Sequence, residues 1–134
     1  MKILVLSDSH SGLSYMRRCI EAVKPHRIIH LGDYYDDACA MAEEYPDIPI
    51  IQLPGNCDRY RCPPFVQEVL AEKIDGVYFF MTHGHRHMVK QRLDMLLRDP
   101  CIAKHEYSES CQAWMPPFSK QCLLEASNWQ PDFL

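Results

Sequence analysis

The sequence predicts an α/β protein built on a parallel sheet, and two observations support this fold class. First, apolar strand-like runs alternate with helix-like stretches over the first half of the chain. Second, each run leads into a short polar loop, as at the carboxyl edge of a parallel sheet. The predicted strands cover residues 2–6, 27–31 and 48–53.

The first predicted strand is followed by a predicted helix. Residues 3–6 are a continuous run of Ile, Leu and Val, which is typical of a strand buried on both faces. Met16, Ile20 and Val23 then recur at helical spacing, with Ser14 placed to cap the start of the helix. Pro25 follows, so we expect the helix to end before it.

A second helix is predicted between the second and third strands. Asp36 and Asp37 open it and it reaches about Tyr45, where Pro46 closes it. The two acidic residues fall in the first turn, where the helix dipole favours negative charge. Three strand units in this order predict a parallel sheet covered on both faces.

The pattern then changes to a predicted antiparallel hairpin. Two strand-like runs, residues 65–74 and 77–82, are joined by Asp75-Gly76, a dipeptide typical of a type I′ turn. A helix is expected next, over residues 88–98. Its apolar face would comprise Val89, Leu93, Leu96 and Leu97.

The composition changes again after residue 98. All five glycines lie at or before Gly84, whereas four prolines interrupt the remainder. Only residues 118–129 show helical spacing there. We therefore expect a core at residues 1–98 and an atypical tail at residues 99–134, which is not a separate domain. One origin of such a tail is a truncated or frame-shifted coding sequence, which would leave an exposed sheet edge and favour self-association.

Charge and apolar patterning exclude several functions. The net charge of −4 argues against stable nucleic-acid binding, which requires clustered Lys and Arg. No apolar run approaches the roughly 20 residues that span a membrane. Seven cysteines are an odd number and include no C-x-x-C pair, which favours reduced thiols. We expect a cytoplasmic protein whose partner is a small phosphate-ester or nucleotide-like substrate.

Four polar clusters occur in order after the strand-like runs, and their side chains are typical metal ligands. They are Asp8-Ser9-His10, Gly32-Asp33, Gly55-Asn56-Cys57-Asp58 and Thr82-His83-Gly84-His85. Carboxylate, imidazole and amide ligands suit borderline-hard divalent ions. In a two-metal arrangement Asp33 would bridge the ions, with Asp8 and His10 on one and Asn56 and His83 on the other.

These motifs resemble those of the calcineurin-like metallophosphoesterases, in particular the small bacterial and archaeal phosphodiesterase branch that carries G-N-C-D. The resemblance covers residues 1 to about 98. It implies a four-layer αββα sandwich and a dinuclear centre whose hydroxide attacks phosphorus in line. Manganese is the expected metal, with zinc, iron, nickel, cobalt and magnesium as alternatives. The implied metal ligands are Asp8, His10, Asp33, Asn56 and His83.

The sequence departs from this family in one motif. The family carries a later G-H-x-H, whose two histidines each complete one metal site. Gly84-His85-Arg86-His87 has these letters but overlaps the fourth cluster, and His105 has no partner histidine. Three ligands would then remain for each metal, which predicts weaker metal binding.

Other polar residues in or near the clusters are predicted to have supporting or structural roles. Asp58 is interpreted as an orienting carboxylate and His85 as a supporting histidine, and these two complete the predicted catalytic set. Cys57 is expected to have a structural or weak substrate-side role and not that of a general acid, because buried thiols are usually inert. His30 is expected to be structural and His87 to be an exposed helix-start residue. Tyr34, Tyr35 and Arg59 could line a substrate mouth, although solvated loop positions are the simpler interpretation.

Two functional hypotheses follow. The first is a metal-dependent phosphodiesterase whose activity is impaired by the missing histidine pair. The alternative is a catalytically inactive scaffold of the same fold, or a fragment, and a partner chain that supplies the missing ligands is a third interpretation. Metal titration distinguishes an enzyme with two tight sites from a scaffold with none.

Overall fold

The computed structural model describes residues 1–100 and residue 102. The chain divides into two compact units, Met1–His83 and Gly84–Leu134. The boundary expected after residue 98 and the helix expected over residues 118–129 both remain predictions, the latter because it lies outside the described residues. No described helix is long and apolar enough to cross a membrane.

The first unit contains a three-stranded parallel sheet in the order β1, β2, β3. Its elements follow the predicted alternation: β1 (Ile3–Leu6), α1 (Leu13–Val23), β2 (Arg27–His30), α2 (Tyr35–Glu44) and β3 (Ile50–Gln52). In the central strand, Ile28 is paired with Leu4 on one side and Ile50 on the other. The predicted α/β fold class is therefore confirmed.

A hairpin forms a second sheet in the same unit. It consists of β4 (Val69–Ile74) and β5 (Val77–Thr82), which pair antiparallel with Ile74 opposite Val77. Asp75 and Gly76 have φ angles of +50° and +82°, as a type I′ turn requires, so the predicted turn is confirmed.

Two apolar cores stack these elements into layers. Met16 and Ile20 of α1 pack with Met41 of α2 against Ile28 on one face of the parallel sheet. On the other face, Ile29 packs against the hairpin, and the shared cluster comprises Ile29, Leu53, Ile74 and Met81. The described part of this unit is thus a helix layer, a parallel sheet and an antiparallel sheet. These are three of the four layers of the expected sandwich.

Several local predictions for the first unit are wrong. Helix α1 begins at Leu13 after Gly12, so Ser14 lies inside the helix and makes no capping hydrogen bond. Strand β4 begins at Val69, because Phe65 has a left-handed φ of +69° that a strand cannot contain. Strand β1 is not buried on both faces, since the side chain of Val5 is 52% exposed.

The second unit also differs from its prediction. Instead of one helix over residues 88–98 it has a 3₁₀-helix, His85–His87, and a short α3, Asp94–Leu97. Met88 adopts a left-handed φ of +52°, which interrupts any continuous helix at this point. The predicted helix is therefore confirmed only near its C-terminal end, at Asp94–Leu97.

Candidate metal centre

The loops after β1 and β2 bring three candidate ligands together. Donor atoms of Asp8, His10 and Asp33 all lie within 4.8 Å of one another. Nε2 of His10 lies 4.0 Å from Oδ1 of Asp8 and 3.8 Å from Oδ2 of Asp33. Asp8 and His10 are half exposed, whereas Asp33 is buried. This group can hold one metal ion whose open side faces solvent.

The loops after β3 and β5 add the second group predicted from the sequence. Nε2 of His83 lies 3.1 Å from Oδ1 of Asn56 and 3.7 Å from Oδ1 of Asp33. Oδ1 of Asp33 also accepts a hydrogen bond of 2.9 Å from the backbone N–H of Cys57. The structure therefore brings the five sequence-predicted ligands together, with the buried carboxylate of Asp33 between the other two pairs.

The two oxygens of Asp33 face different histidines. Oδ2 is directed to His10 and Oδ1 to His83, so the carboxylate separates the two groups of ligands. A carboxylate that presents one oxygen to each of two ligand groups has the geometry needed to bridge a pair of metal ions. The donor set of carboxylate, imidazole and amide oxygen suits borderline-hard divalent cations.

The hydrogen bonding of His83 provides a direct test of whether a cation fits. Nδ1 of His83 lies 3.0 Å from the carbonyl oxygen of Leu31, which can only accept, so Nδ1 carries a proton. In the neutral ring the lone pair of Nε2 then points towards oxygens of Asp33 and Asn56. A protonated Nδ1 with Nε2 turned towards the other candidate ligands is the usual arrangement of a metal-binding histidine, so the position of His83 fits a cation at this point.

Two glycines allow the loops that carry Asp33 and Asn56 to approach each other. A Cβ at Gly55 would lie 2.0 Å from Oδ1 of Asp33, and a Cβ at Gly32 would lie 2.4 Å from the backbone nitrogen of Gly55. Gly32 also has a φ of +110°, which other residues rarely adopt. The glycines of the G-D and G-N-C-D motifs are therefore required by close packing at the site.

Backbone strain is concentrated in the loops after β1 and β2. Asp8, His10, Asp33 and Tyr34 all have positive φ angles, between +44° and +67°. Such conformations cost about 1 to 2 kcal/mol each for residues with a Cβ and persist where the surroundings fix them. Their clustering at the carboxyl edge of the sheet is typical of a functional site.

Asp58 is fully buried and holds two of the site loops together. Its Oδ2 accepts a hydrogen bond of 2.7 Å from the N–H of Gly55, and its Oδ1 accepts one of 2.9 Å from the N–H of Tyr35. Burial alone would raise the pKa of this carboxyl, but the amide hydrogen bonds lower it below its ordinary value. This geometry fits the orienting role expected from the sequence.

A partly buried polar network supports the loop after β1, and no local sequence pattern indicates it. The Ser9 hydroxyl donates a hydrogen bond of 2.7 Å to Oδ2 of Asp37, and the same oxygen accepts one of 2.7 Å from the N–H of Ser11. Nε2 of His30 lies 3.2 Å from the Ser9 oxygen. Asp37 thus fixes the loop that carries Asp8 and His10, a role beyond its predicted interaction with the helix dipole.

His30 is fully buried at the end of β2, as a structural residue should be. Its Nδ1 atom has no hydrogen-bond partner among the residues that the structure describes. Burial lowers the pKa of His30 below its ordinary value of 6.5, and this outweighs the opposing effect of nearby carboxylates such as Asp37. His30 is therefore a neutral ring beneath the site loops at neutral pH.

Cys57 stands beside the carboxylate of Asp33 and is exposed, so the premise that its thiol is buried is wrong. A hydrogen bond to Asp33, with a further contribution from burial, raises the pKa of its thiol. The neutral thiol is thus favoured over the thiolate that soft metals bind.

The remaining predicted histidines lie in the second unit. His85 is exposed and belongs to the 3₁₀-helix, and its supporting role remains a prediction. His87 was expected to be exposed, which is wrong: it is only 7% exposed, and its Nε2 lies 2.9 Å from Oδ2 of Asp99. The acidic partner twelve residues later explains why a histidine is tolerated at a buried position.

A tyrosine and an arginine lie beside the candidate metal centre. The ring of Tyr34 meets the ring of His10 edge-on, with 4.9 Å between centroids. The guanidinium of Arg61 lies over the Tyr34 ring at 4.3 Å, and its Nη1 lies 3.6 Å from Oδ2 of Asp36. Tyr34 was considered as part of a substrate mouth, whereas the sequence offered no signal that singled out Arg61.

Fold and site together define a class of protein: an α/β sandwich with a metal-binding group of Asp and His at the carboxyl edge of its parallel sheet. Residues 1–108 match the calcineurin-like phosphoesterase superfamily domain, and the chain belongs to this superfamily. The resemblance inferred from the four motifs is therefore confirmed.

A curated relative is the phosphodiesterase MJ0936 of Methanocaldococcus jannaschii, which is 30% identical over 103 residues. The alignment includes 66% of this chain and 62% of that protein. The chain thus spans about three fifths of the length of the curated relative that it matches.

Two solved structures are similar to this chain. An archaeal phosphodiesterase superimposes with a TM-score of 0.54 and 28% identity, over 75% of this chain and 68% of that one. A conserved uncharacterized protein of Streptococcus pneumoniae gives a TM-score of 0.53 at 23% identity, over 71% of this chain and 52% of that one. The second likeness concerns the fold alone.

Proposed function

We propose that this chain binds two divalent metal ions and hydrolyses phosphodiesters. The single observation that carries the proposal is the position of Asp33, whose two oxygens face His10 and His83 separately. Asp8 and His10 would hold one ion and Asn56 and His83 the other, with Asp33 between them. Similarity to phosphodiesterases over most of this chain supports the same reaction class.

Bound divalent ions would supply positive charge to the phosphoryl oxygens and would acidify a water molecule. The residues of this chain set the conditions for that chemistry. Nδ1 of His83 lies 3.0 Å from the carbonyl oxygen of Leu31, and this contact orients the ring so that Nε2 would face the ion. Asp58 acts as a positioning residue, because its carboxylate is occupied by the backbone N–H groups of Tyr35 and Gly55.

The substrate, metal and compartment belong to the same proposal. Manganese is the metal we propose, and the half-exposed position of Asp8 and His10 suits a small phosphate ester that approaches from solvent. The cysteines at positions 19, 39, 57 and 62 are all free thiols, which supports a reducing, cytoplasmic setting.

Hydrolysis of bis(p-nitrophenyl) phosphate tests the proposal. We expect manganese-dependent turnover by the wild-type chain, abolished by Asp33→Asn, because the amide removes the negative charge that both ions share. Circular dichroism of both samples controls for folding. A folded wild-type chain without metal-dependent turnover would contradict the enzymatic proposal.

The second candidate function is a scaffold without activity. It is favoured by one observation: the described residues place three protein ligands, and not four, around each proposed ion. Calorimetric titration with manganese distinguishes the two functions. Two tight sites support the enzyme, whereas no binding supports the scaffold.

A further inference from the structure

We propose that Arg61 binds the anionic oxygens of the phosphoryl group of the substrate, so that it is a substrate-binding residue of this site. The inference rests on the proposed function and names a group that recognises the substrate. It arises from the contacts that hold Arg61 beside the candidate metal centre.

The backbone of Arg61 is fixed to the core of the site. Its N–H donates a hydrogen bond of 2.8 Å to the carbonyl oxygen of Asp58, and the next residue, Cys62, donates to the same oxygen at 3.2 Å. Asp58 is fully buried and ties the loops of Gly55 and Tyr35 together. The starting point of the Arg61 side chain is therefore set by the same residue that organises the ligand loops.

The side chain of Arg61 is fixed as well. Its guanidinium lies over the Tyr34 ring at 4.3 Å, and that ring contacts His10 at 4.9 Å. The Tyr34 ring therefore contacts both the guanidinium of Arg61 and the ring of His10, a proposed metal ligand. Tyr34 itself directly follows Asp33, and its φ of +67° turns the chain at this point.

The guanidinium retains the capacity to bind an anion. A cation stacked on an aromatic ring keeps its N–H donors in the plane, where they can form a fork with two oxygens of a phosphate. The ion pair with Asp36 uses Nη1 at 3.6 Å, and Asp36 is itself 62% exposed. An exposed pair of this kind contributes about 0 to 1 kcal/mol, so an incoming phosphoryl group can displace it.

The charge around Arg61 is consistent with this role. Asp8, Asp33, Asp36 and Asp58 surround the loops and would repel a phosphodiester anion. Metal ions offset part of this charge, and a cation held at the rim contributes further attraction for the substrate. Because Arg61 acts on the substrate and not on the metals, its loss should raise KM more than it lowers kcat.

The test compares Arg61→Ala with a matched control, Arg59→Ala. Arg59 lies two residues earlier in the same loop and its guanidinium also contacts a tyrosine, Tyr60, at 5.6 Å. That tyrosine is 90% exposed, so the ring that Arg59 contacts is directed to solvent, whereas the ring that Arg61 contacts lies against His10. For bis(p-nitrophenyl) phosphate with manganese, we expect Arg61→Ala to raise KM about tenfold or more with little change in kcat, since a hydrogen bond to a charged group is lost.

Two further variants test the role of Arg61. Arg61→Lys keeps the charge but not the planar fork, so it should recover part of the loss. Arg59→Ala should behave as wild type. An unchanged KM in Arg61→Ala, an equal effect in Arg59→Ala or no recovery by lysine would each overturn the proposal.

Binding of dimethyl phosphate, measured by calorimetry with manganese present, separates this inference from the proposed function. A wild-type chain that binds this ligand but shows no turnover would contradict the hydrolase. In that event weaker binding by Arg61→Ala alone would still support the role of Arg61, and equal binding by all variants would refute it.

Discussion

Gly55 and Asp33 lie so close that the first carbon of any side chain at position 55 would come within 2.0 Å of Oδ1 of Asp33. The carboxylate that faces both groups of ligands is thus packed directly against a backbone with no side chain. This contact explains why two loops that belong to different strands, β2 and β3, can share one site.

Gly55→Ala should displace the Asp33 carboxylate, because overpacking of about 1 to 3 kcal/mol is relieved by moving one of the two loops. We expect a loss of stability of that size in thermal unfolding together with a loss of manganese binding. Gly76→Ala is the matched control: Gly76 has a φ of +82° but nothing within 4 Å of its Cβ position. The control should cost about 1 kcal/mol from strain and leave metal binding intact. Normal metal binding by Gly55→Ala would contradict the packing argument.

Asp37→Ala should reduce stability more than Asp36→Ala. Both residues lie in the first turn of α2, so each substitution removes a similar interaction with the helix dipole. Only Asp37 is buried and accepts hydrogen bonds from Ser9 and Ser11. We expect a difference of about 2 kcal/mol in urea unfolding, because Asp37→Ala removes two partly buried hydrogen bonds to a charged carboxylate. Equal effects of the two variants would show that the network does not support the loop.

The buried His30 should make the fold sensitive to mild acid. Its pKa is lowered in the folded state, so below its ordinary value of 6.5 the unfolded chain binds a proton that the folded chain does not. Protonation of His30 therefore has no effect on the free energy of unfolding at higher pH. As the pH falls through 6.5, it lowers the free energy of unfolding. Between about pH 7.5 and about pH 5.5, the free energy of unfolding measured in urea should fall less for His30→Leu than for wild type. Identical slopes would exclude His30 as the cause.

The order of elements and the ligand loops could be predicted because both depend on local sequence. Apolar runs that end in Asp8, Asp33 and Asn56 place these residues at one sheet edge once the strands are parallel. The Asp75-Gly76 turn was likewise determined by its own two residues.

What could not be predicted depends on tertiary contacts. The burial of Asp37 and His87 follows from partners far away in the sequence, Ser9 and Asp99, and no local pattern marks these pairs. The position of Arg61 depends on stacking with Tyr34, 27 residues earlier. Local geometry also overrode the sequence pattern at Met88, where a left-handed residue stands at the predicted start of the helix and α3 begins only at Asp94.

Manganese stoichiometry measured by calorimetry tests the central claim, that Asp33 is shared by two metal ions, most directly. We expect two ions per wild-type chain, one after either His10→Ala or His83→Ala, and none bound tightly after Asp33→Ala, because each histidine serves one ion and the carboxylate serves both. A wild-type chain that binds no manganese, or an Asp33→Ala variant that still binds two ions, would contradict the account.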